Sequence, residues 1–337
     1  MQAKIIGRTR GRRPSKPPES PRVRAERAAF AKLSRTPKDR RSLVTFAAAT
    51  GDYISERPGL KYSTLCSYRY IFQNYLLPEF GDSPVADISE QKIARFQARL
   101  AKRLSPTRTN NIMNLLRFVM NVCERRHLIK QDPTPNVAKL TIAPPSIDPF
   151  TKQEVDLVIS NVEPHYQPLF VCLAWTGARP NELGALRWRD VDFRRNEIRI
   201  SKGRYRGVEE LPKTTASSRV IPMFSVVREA LMRLRDSNDC NSEEHVFKTK
   251  RGLPLNKTMS EIWRLAVLKS KLRHRPSYQL RHTFASICLE SGVTPGWISS
   301  MLGHATPATT FRHYARFFGS RENEERIEAL LQARTSQ

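Results

Sequence analysis

The sequence predicts a mostly α-helical protein of two domains, with a small antiparallel β-sheet in the second. Apolar residues recur at helical spacing over residues 43–130, prolines cluster over 131–150, and two short β-rich runs interrupt a second helical region over 151–319. The 337 residues are enough for about two domains. With 39% hydrophobic and 8% aromatic residues, most of the chain can fold around buried cores.

The charge balance indicates a polyanionic partner. The chain has 58 Lys and Arg against 32 Asp and Glu, a net charge of +26, which favours nucleic acid as the ligand. A basic membrane-surface protein is the alternative, but the positive residues are spread along the chain instead of lining one helix face. No apolar run approaches the roughly 18 residues of a membrane helix, so we expect a cytoplasmic, nucleoid-associated protein.

Residues 1–42 are rich in lysine, arginine and proline and poor in apolar residues. Such a segment buries too little surface to order itself, so a flexible basic arm is predicted. The arm either settles on phosphates or a minor groove, or is a solvated tail without a specific site. The five cysteines are scattered without a CxxC pair, which favours a reducing compartment and no cysteine-based metal site.

The first domain, residues 43–130, reads as four helices. The first is expected to begin near Thr45, and the other three to span 62–77, 89–104 and 106–127. Each carries its apolar residues on one stripe. Basic residues of this domain suit the backbone of a duplex, although a soluble helical surface would also carry them. They are Lys92, Arg95, Arg99, Lys102, Arg103, Arg108 and Arg117.

The second domain follows the proline-rich linker at 131–150. Thr151 and Glu154 have the spacing of a capping box, so a helix is predicted from there. Strands are predicted near 197–201 and 219–223, joined by a long polar turn. The predicted helices are 151–161, 168–176, 180–187, 225–235, 256–272, 279–291, 295–302 and 307–317. A final segment, 320–337, is predicted as a C-terminal helix and tail.

Four short motifs in this domain resemble the tyrosine recombinase, or phage integrase, family and occur in the family's order. They are Thr176-Gly177-Ala178-Arg179-Pro180, Pro212-Lys213-Thr214 leading to Ser218-Arg219-Val220-Ile221-Pro222, Gln279-Leu280-Arg281-His282-Thr283, and Leu302-Gly303-His304 followed by Tyr314. The resemblance implies a helical core-binding (SAM-like) domain followed by a tyrosine recombinase catalytic domain with the DNA breaking-rejoining enzyme fold. It also implies site-specific DNA recombination through a covalent 3′-phosphotyrosyl intermediate, without metal, ATP or another cofactor.

The residue types suit that chemistry. Arg179 and Arg281 can each donate twice to phosphate oxygens, a geometry that lysine cannot reproduce. Tyr314 is the candidate nucleophile, and neighbouring guanidinium groups would stabilise its phenolate. The alternatives are a surface salt bridge for each arginine and a packed amphipathic side chain for the tyrosine.

Two further roles follow from the resemblance. Lys213 is at the position of the lysine that protonates the leaving 5′ oxygen, although a solvated turn lysine remains possible and Lys202 is nearby. His304 would donate a hydrogen bond to a non-bridging oxygen, or else cap the helix end after Gly303. Glu182 is expected to orient an arginine or histidine, and His282 to pack beside the site.

The chain departs from the family at Tyr278, where many members have histidine. Tyrosine can donate to phosphate but is a poor base at neutral pH. Deprotonation of Tyr314 would then depend on other groups, with His304 and His313 nearest in sequence, or the reaction would be slow. We expect Tyr278→His to keep or raise cleavage.

The resemblance implies that the two domains clamp duplex DNA at recombination sites as a homotetramer, with a DNA-bending accessory protein as a further partner. The final segment, with Ile327, Leu330 and Leu331 on one stripe, would dock on a neighbouring protomer or pack on its own chain. Two other functions stay open at this point. A type IB-like topoisomerase would relax DNA that carries no recombination site, and a noncatalytic DNA-binding regulator of the same fold would never become covalently attached.

Overall fold

A computed structural model describes residues 19–33, 44–143, 147–211, 218–236, 241–255 and 258–314. The chain divides into two compact units after Ile142. Within the described residues the first unit is helical, and the second is helical with a small antiparallel sheet, as the sequence predicts, and a second two-stranded sheet that it does not predict.

The described residues of the first unit contain six α-helices. They are α1 (Pro21–Leu33), α2 (Phe46–Ser55), α3 (Tyr62–Ile71), α4 (Leu77–Phe80), α5 (Glu90–Ala101) and α6 (Pro106–Arg125). Their starts follow local signals, since Thr45, Ser89 and Ser105 accept hydrogen bonds from backbone amides of the first turns of α2, α5 and α6. A π-helical turn, Phe72–Leu76, separates α3 from α4 where a single helix over 62–77 was predicted.

Helix α1 corrects the prediction of a flexible arm over residues 1–42. Phe30 is 1% exposed and packs edge to face on Phe72, with the ring centroids 5.9 Å apart. Arg27 Nη2 donates to the carbonyl oxygens of Arg57 (3.0 Å) and Pro58 (2.6 Å). The basic composition of the whole segment hid a short helical stretch that Phe30 and Arg27 attach to the first unit. Residues 1–18 and 34–43 lie outside the described residues.

The proline-rich segment is held to the first unit along part of its length. Asn110 Nδ2 donates to Leu140 O (2.8 Å), and the Leu140 amide donates to Asn110 Oδ1 (2.9 Å). Gln97 donates to Ala138 O (2.8 Å). Beyond it, the amide of Phe150 donates to Thr283 Oγ1 (2.9 Å), so that residue belongs to the second unit. The linker is therefore shorter than the predicted range 131–150, because Ala138 and Leu140 are attached to the first unit and Phe150 to the second.

The second unit packs its helices around α8. The elements are α7 (Lys152–Ser160), α8 (Gln167–Thr176), α9 (Pro180–Leu183), β1 (Val191–Asp192), β2 (Glu197–Ile200), β3 (Gly203–Tyr205), β4 (Val208–Glu210), β5 (Arg219–Pro222), α10 (Ser225–Asp236), α11 (Thr258–Lys269), α12 (Gln279–Glu290), α13 (Pro295–Leu302) and α14 (Pro307–Tyr314). The Thr151–Glu154 capping box at the start of α7 is formed. Helix α8 is nearly all apolar because neighbouring helices surround it.

The two predicted strands pair as β2 and β5, with Ile198 opposite Ile221. Strand β1 adds to the other edge of β2, giving the order β1-β2-β5. The polar turn between β2 and β5 contains a separate hairpin of β3 and β4, which the sequence analysis did not predict. None of the described helices is long and apolar enough to cross a membrane.

Candidate active site

The first motif forms the sharp turn between α8 and α9. Gly177 ends α8 in the left-handed conformation (φ 64°). Thr176 Oγ1 donates to Cys172 O (2.6 Å) and accepts from the Ala178 amide (3.2 Å), which fixes the turn from both sides. The chain then reaches Arg179 immediately before Pro180, the first residue of α9.

Gly177→Ala is expected to destabilise the fold by about 2–4 kcal/mol, since the left-handed backbone disfavours alanine and the added methyl group overpacks the core. A Cβ at this position would lie 2.7 Å from side-chain carbons of both Leu302 and Phe284. The matched control is Gly252→Ala, whose φ is +73° but whose Cβ would meet no described atom within 4 Å. Denaturant unfolding of both variants separates the two effects, and equal losses would contradict the steric part.

Glu182 organises two arginines. Its carboxylate accepts from Arg179 Nη1 (2.8 Å) and from the Arg179 amide (2.8 Å). It also accepts from Nη2 of Arg219 (2.9 Å). Nε of the same arginine donates to Met301 O (2.6 Å). Burial alone would raise the pKa of Glu182, but Arg219 and Arg179 outweigh it, so the pKa lies below its usual range. The predicted orienting role of Glu182 thus has a specific geometry here.

Arg281 lies in the first turn of α12 and is 2% exposed. Its Nη1 donates to Gly177 O and its Nη2 to Leu302 O, both at 2.7 Å. Burial and the nearby charge of Arg179 lower the pKa of Arg281 to about 10, so the group stays charged at neutral pH. The two carbonyls belong to the first and fourth motifs, and Arg281 therefore joins three motifs that are far apart in sequence.

His304 follows Gly303, which ends α13 with φ 65°. The amide of His304 donates to Ser299 O (3.0 Å), and Nδ1 is hydrogen-bonded to Thr310 Oγ1 (2.8 Å). Burial, followed by the charges of Arg281 and Arg179, lowers the pKa of His304 to about 3. The neutral imidazole is held in a positive field, which is where an anion would be stabilised.

Tyr314 is the last described residue of α14 and is 1% exposed. Its hydroxyl is hydrogen-bonded to Nδ1 of His282, 2.7 Å away. Burial raises the pKa of the Tyr314 phenol above its ordinary value, while the charge of Arg281 acts in the opposite direction. The ring of His282, predicted to be a packing residue, therefore contacts the candidate nucleophile directly.

Tyr278 lies at the exposed edge of this cluster. Tyr278 is 44% exposed, and its ring lies edge to face with His282, with centroids 5.5 Å apart. Lys213 lies outside the described residues. Lys202, the other lysine considered near the turn, pairs with Glu209 at 3.0 Å.

Sequence reasoning missed the partnership of Arg219 with Glu182 and the contact of His282 with Tyr314. The motif that contains Arg219 predicts no partner for it, because no local sequence signal relates β5 to α9. The signal for His282 was present, since residues four apart on a helix share a face and His282 comes four residues after Tyr278. Among the described residues, no group of three or more His, Cys, Asp and Glu side chains could hold a metal ion.

The two half-buried histidines of the site, His282 and His304, are expected to make the fold acid-sensitive. The pKa values of His282 and His304 are lowered to about 4 and about 3, whereas unfolded histidine titrates near ~6.5. Above ~6.5 neither state binds the proton, so the two histidines make no difference there. Below it the unfolded chain binds more protons, and the free energy of unfolding falls as pH drops toward 4 and 3.

Thermal melts between pH 7 and pH 4 would measure this slope. His304→Gln should flatten it, and adding His282→Gln should flatten it further. An unchanged slope in the double variant would show that the two imidazoles do not cause the acid sensitivity.

Known protein families and relatives match long stretches of this chain. The sequence profile of the phage integrase family matches residues 150–320, and that of the phage integrase N-terminal SAM-like domain matches residues 52–101. The integrase of Mycobacterium phage FRAT1 is 26% identical over 282 residues, covering 81% of this chain and 84% of its own length. A XerC-like tyrosine recombinase of Caldanaerobacter subterraneus subsp. tengcongensis is 24% identical, covering 77% and 75%.

Among solved structures, the integrase of transposon Tn1549 in complex with a circular intermediate DNA has a TM-score of 0.72 at 19% identity, covering 85% of this chain and all of that one. The fold and the sequence matches together define an enzyme that breaks and rejoins DNA. The chain belongs to the phage integrase family, whose profile matches about half of it. It is a tyrosine recombinase, and the matches favour site-specific recombination over the topoisomerase and regulator alternatives.

Proposed function

We propose that this recombinase cleaves double-stranded DNA at the recombination sites of a phage or other mobile element, using Arg179, Lys213, Arg281, His304 and Tyr314. The observation that carries the proposal is the buried hydroxyl of Tyr314, which is hydrogen-bonded to the imidazole of His282. The charge of Arg281 acts to lower the pKa of this hydroxyl, against the effect of burial. A nucleophile, its proton acceptor and a guanidinium for the phosphate are thus within one cluster.

The two arginines would bind the non-bridging oxygens of the scissile phosphate. Two carbonyls hold Arg281 from one side, and Glu182 holds Arg179, so neither guanidinium has to reorganise when charge develops. If Thr310 donates to Nδ1 of His304, the Nε2–H of His304 is left to donate to the same phosphate. Tyr278, exposed at the edge of the cluster, would add a weaker phenol donor.

In the cleavage step, Tyr314 Oη forms a bond to phosphorus while the bond to the 5′ oxygen breaks. The 5′ oxygen would take its proton from Lys213, a role that rests on the family resemblance because Lys213 lies outside the described residues. The phosphotyrosyl bond conserves the energy of the broken linkage, so attack by a 5′ hydroxyl of another strand can reseal the DNA. Because Tyr314 is 1% exposed, the side chains that cover it would have to move before a phosphate could reach it.

The first unit would bind the duplex backbone through exposed basic residues of α5 and the turn after it. Lys92, Arg95, Lys102 and Arg103 are exposed. Arg117 differs from them, since its Nη2 donates to Val137 O at 2.5 Å and it stabilises the unit itself. Phosphate contacts of this kind make binding strongly salt-dependent.

Recombination would join two sites in a homotetramer in the nucleoid, with a DNA-bending protein as a further partner. The segment 320–337, which lies outside the described residues, would link neighbouring protomers. Truncation after Gly319 should then abolish assembly and leave DNA binding by the monomer intact.

The test is a covalent trap on nicked duplexes. Purified protein is mixed with duplexes that span the ends of the mobile element next to the gene, with unrelated duplexes as control, and adducts are separated on a denaturing gel. An adduct on the element ends alone supports the proposal. Adducts on every duplex, together with relaxation of a plasmid without sites, would indicate a topoisomerase, and binding without an adduct on any end would indicate a regulator.

A further inference from the structure

We infer that His282 is the general base of this recombinase and accepts the phenol proton of Tyr314 during DNA cleavage. The inference rests on the proposed function and assigns the proton acceptor that the sequence left open when tyrosine replaced histidine at position 278. The observation behind it is the 2.7 Å distance between His282 Nδ1 and Tyr314 Oη. That distance lies within the range required of a base and its nucleophile.

The other candidates are placed less well in the described residues. Nδ1 of His304 is hydrogen-bonded to Thr310 Oγ1. The ring centroid of His313 is 6.3 Å from that of Tyr314, and adjacent residues on a helix do not face the same direction. Tyr278 offers another phenol, which is a poor base at neutral pH.

The position of His282 explains how the family site can lose its usual histidine. Position 278 is the residue immediately before α12, and His282 is one turn further along the same face. The rings of the two residues are in contact, with centroids 5.5 Å apart. An imidazole is therefore present one helical turn after position 278 and in contact with the nucleophile, while Arg281 beside it donates to Gly177 O and Leu302 O.

The electrostatic surroundings keep the imidazole neutral and able to accept a proton. Charged and titratable groups that face it in the described structure are Arg281 on its own helix, His313 and Tyr314 on α14, and Tyr278 at the start of α12. Burial, with Arg281 and His313, lowers the pKa of His282 to about 4 in the DNA-free protein. A phosphate bound to Arg281 would offset that positive charge and raise the basicity of the imidazole when it is needed.

The proton balance of the step is complete. As the Tyr314 Oη–phosphorus bond forms and the phosphorus–5′ oxygen bond breaks, the phenol proton passes to His282 Nδ1, and the general acid supplies a proton to the 5′ oxygen. At religation, the 5′ hydroxyl gives its proton back to the general acid, and His282 returns its proton to the tyrosine.

The first experiment measures single-turnover cleavage of a nicked duplex by wild type and His282→Gln. Glutamine can still accept a hydrogen bond but cannot take the proton, so cleavage should slow by about 10²–10⁴-fold. The matched control is His165→Gln, on another half-buried histidine whose Nε2 is hydrogen-bonded to Lys248 O (2.9 Å), and it should cleave at the wild-type rate. Cleavage by His282→Gln close to the wild-type rate would overturn the inference.

A second measurement separates proton transfer from a structural role. A fluorinated tyrosine at position 314 has a more acidic phenol, so it depends less on a base. The defect of His282→Gln should then shrink at least about tenfold relative to the defect with ordinary tyrosine. An equal defect in both backgrounds would show that His282 only positions the ring, and the inference would be wrong.

A third measurement does not require activity. Nitrogen NMR of the seven histidines, with His282 assigned through His282→Gln, should show an unprotonated Nδ1 that accepts a hydrogen bond and that shifts in Tyr314→Phe. A protonated Nδ1 would overturn the inference. Failure of the proposed function would look different, since the wild-type protein itself would then form no adduct on the element ends.

Discussion

Tyr314→Phe is expected to abolish the covalent adduct completely while leaving DNA binding intact. The substitution removes only the attacking oxygen, and water cannot replace it to give a protein–DNA bond. The phenylalanine ring keeps the packing of a side chain that is 1% exposed. Loss of the hydrogen bond to His282 should change the free energy of unfolding by only about 0.5–1.5 kcal/mol.

The measurement uses the same nicked duplexes with a binding assay run in parallel. A residual adduct that migrates like that of wild type would mean that another residue is the nucleophile. Loss of both the adduct and binding, with a normal melting profile, would place Tyr314 in DNA recognition instead of chemistry.

Glu182→Ala is expected to destabilise the fold by about 3–5 kcal/mol, the usual effect of breaking a buried ion pair from one side. The Arg219 side chain is 7% exposed and would be left with its charge buried, and Arg179 would lose the partner that orients it. Cleavage should fall as well, because Arg179 would no longer be held in place for the phosphate.

The matched control is Glu261→Ala, which removes another i,i+3 carboxylate–arginine pair on a helix. Both side chains of this pair are largely exposed (58% and 47%), so the loss should be much smaller than for Glu182→Ala. Denaturant unfolding of the two variants gives the comparison. Combining Glu182→Ala with Arg219→Met should recover part of the loss, because the uncompensated charge is then removed. Equal losses for Glu182→Ala and Glu261→Ala would show that the buried pair has no special role.

The helices were largely predictable because their signals are local. Ser89, Ser105 and the Thr151–Glu154 box mark helix starts that the structure places at the expected residues. Helix α1 was missed because a basic, proline-rich composition concealed Phe30, which packs on Phe72 in the core of the first unit. The hairpin of β3 and β4 was also missed, since its three-residue strands are too short for alternation to be recognised.

The sequence by itself determined the mostly helical class, the order of the two domains and the family, because these depend on periodicity, caps and motifs read along the chain. It also identified Arg179, Arg281 and Tyr314 as candidates. Only the tertiary structure decided which of them meet. Helix packing brings His282 on α12 to Tyr314 on α14 across 32 positions of the sequence. It also brings Arg281 on α12 to Gly177 at the end of α8 across 104 positions. Such distances depend on how whole helices pack, which no local pattern of residues encodes.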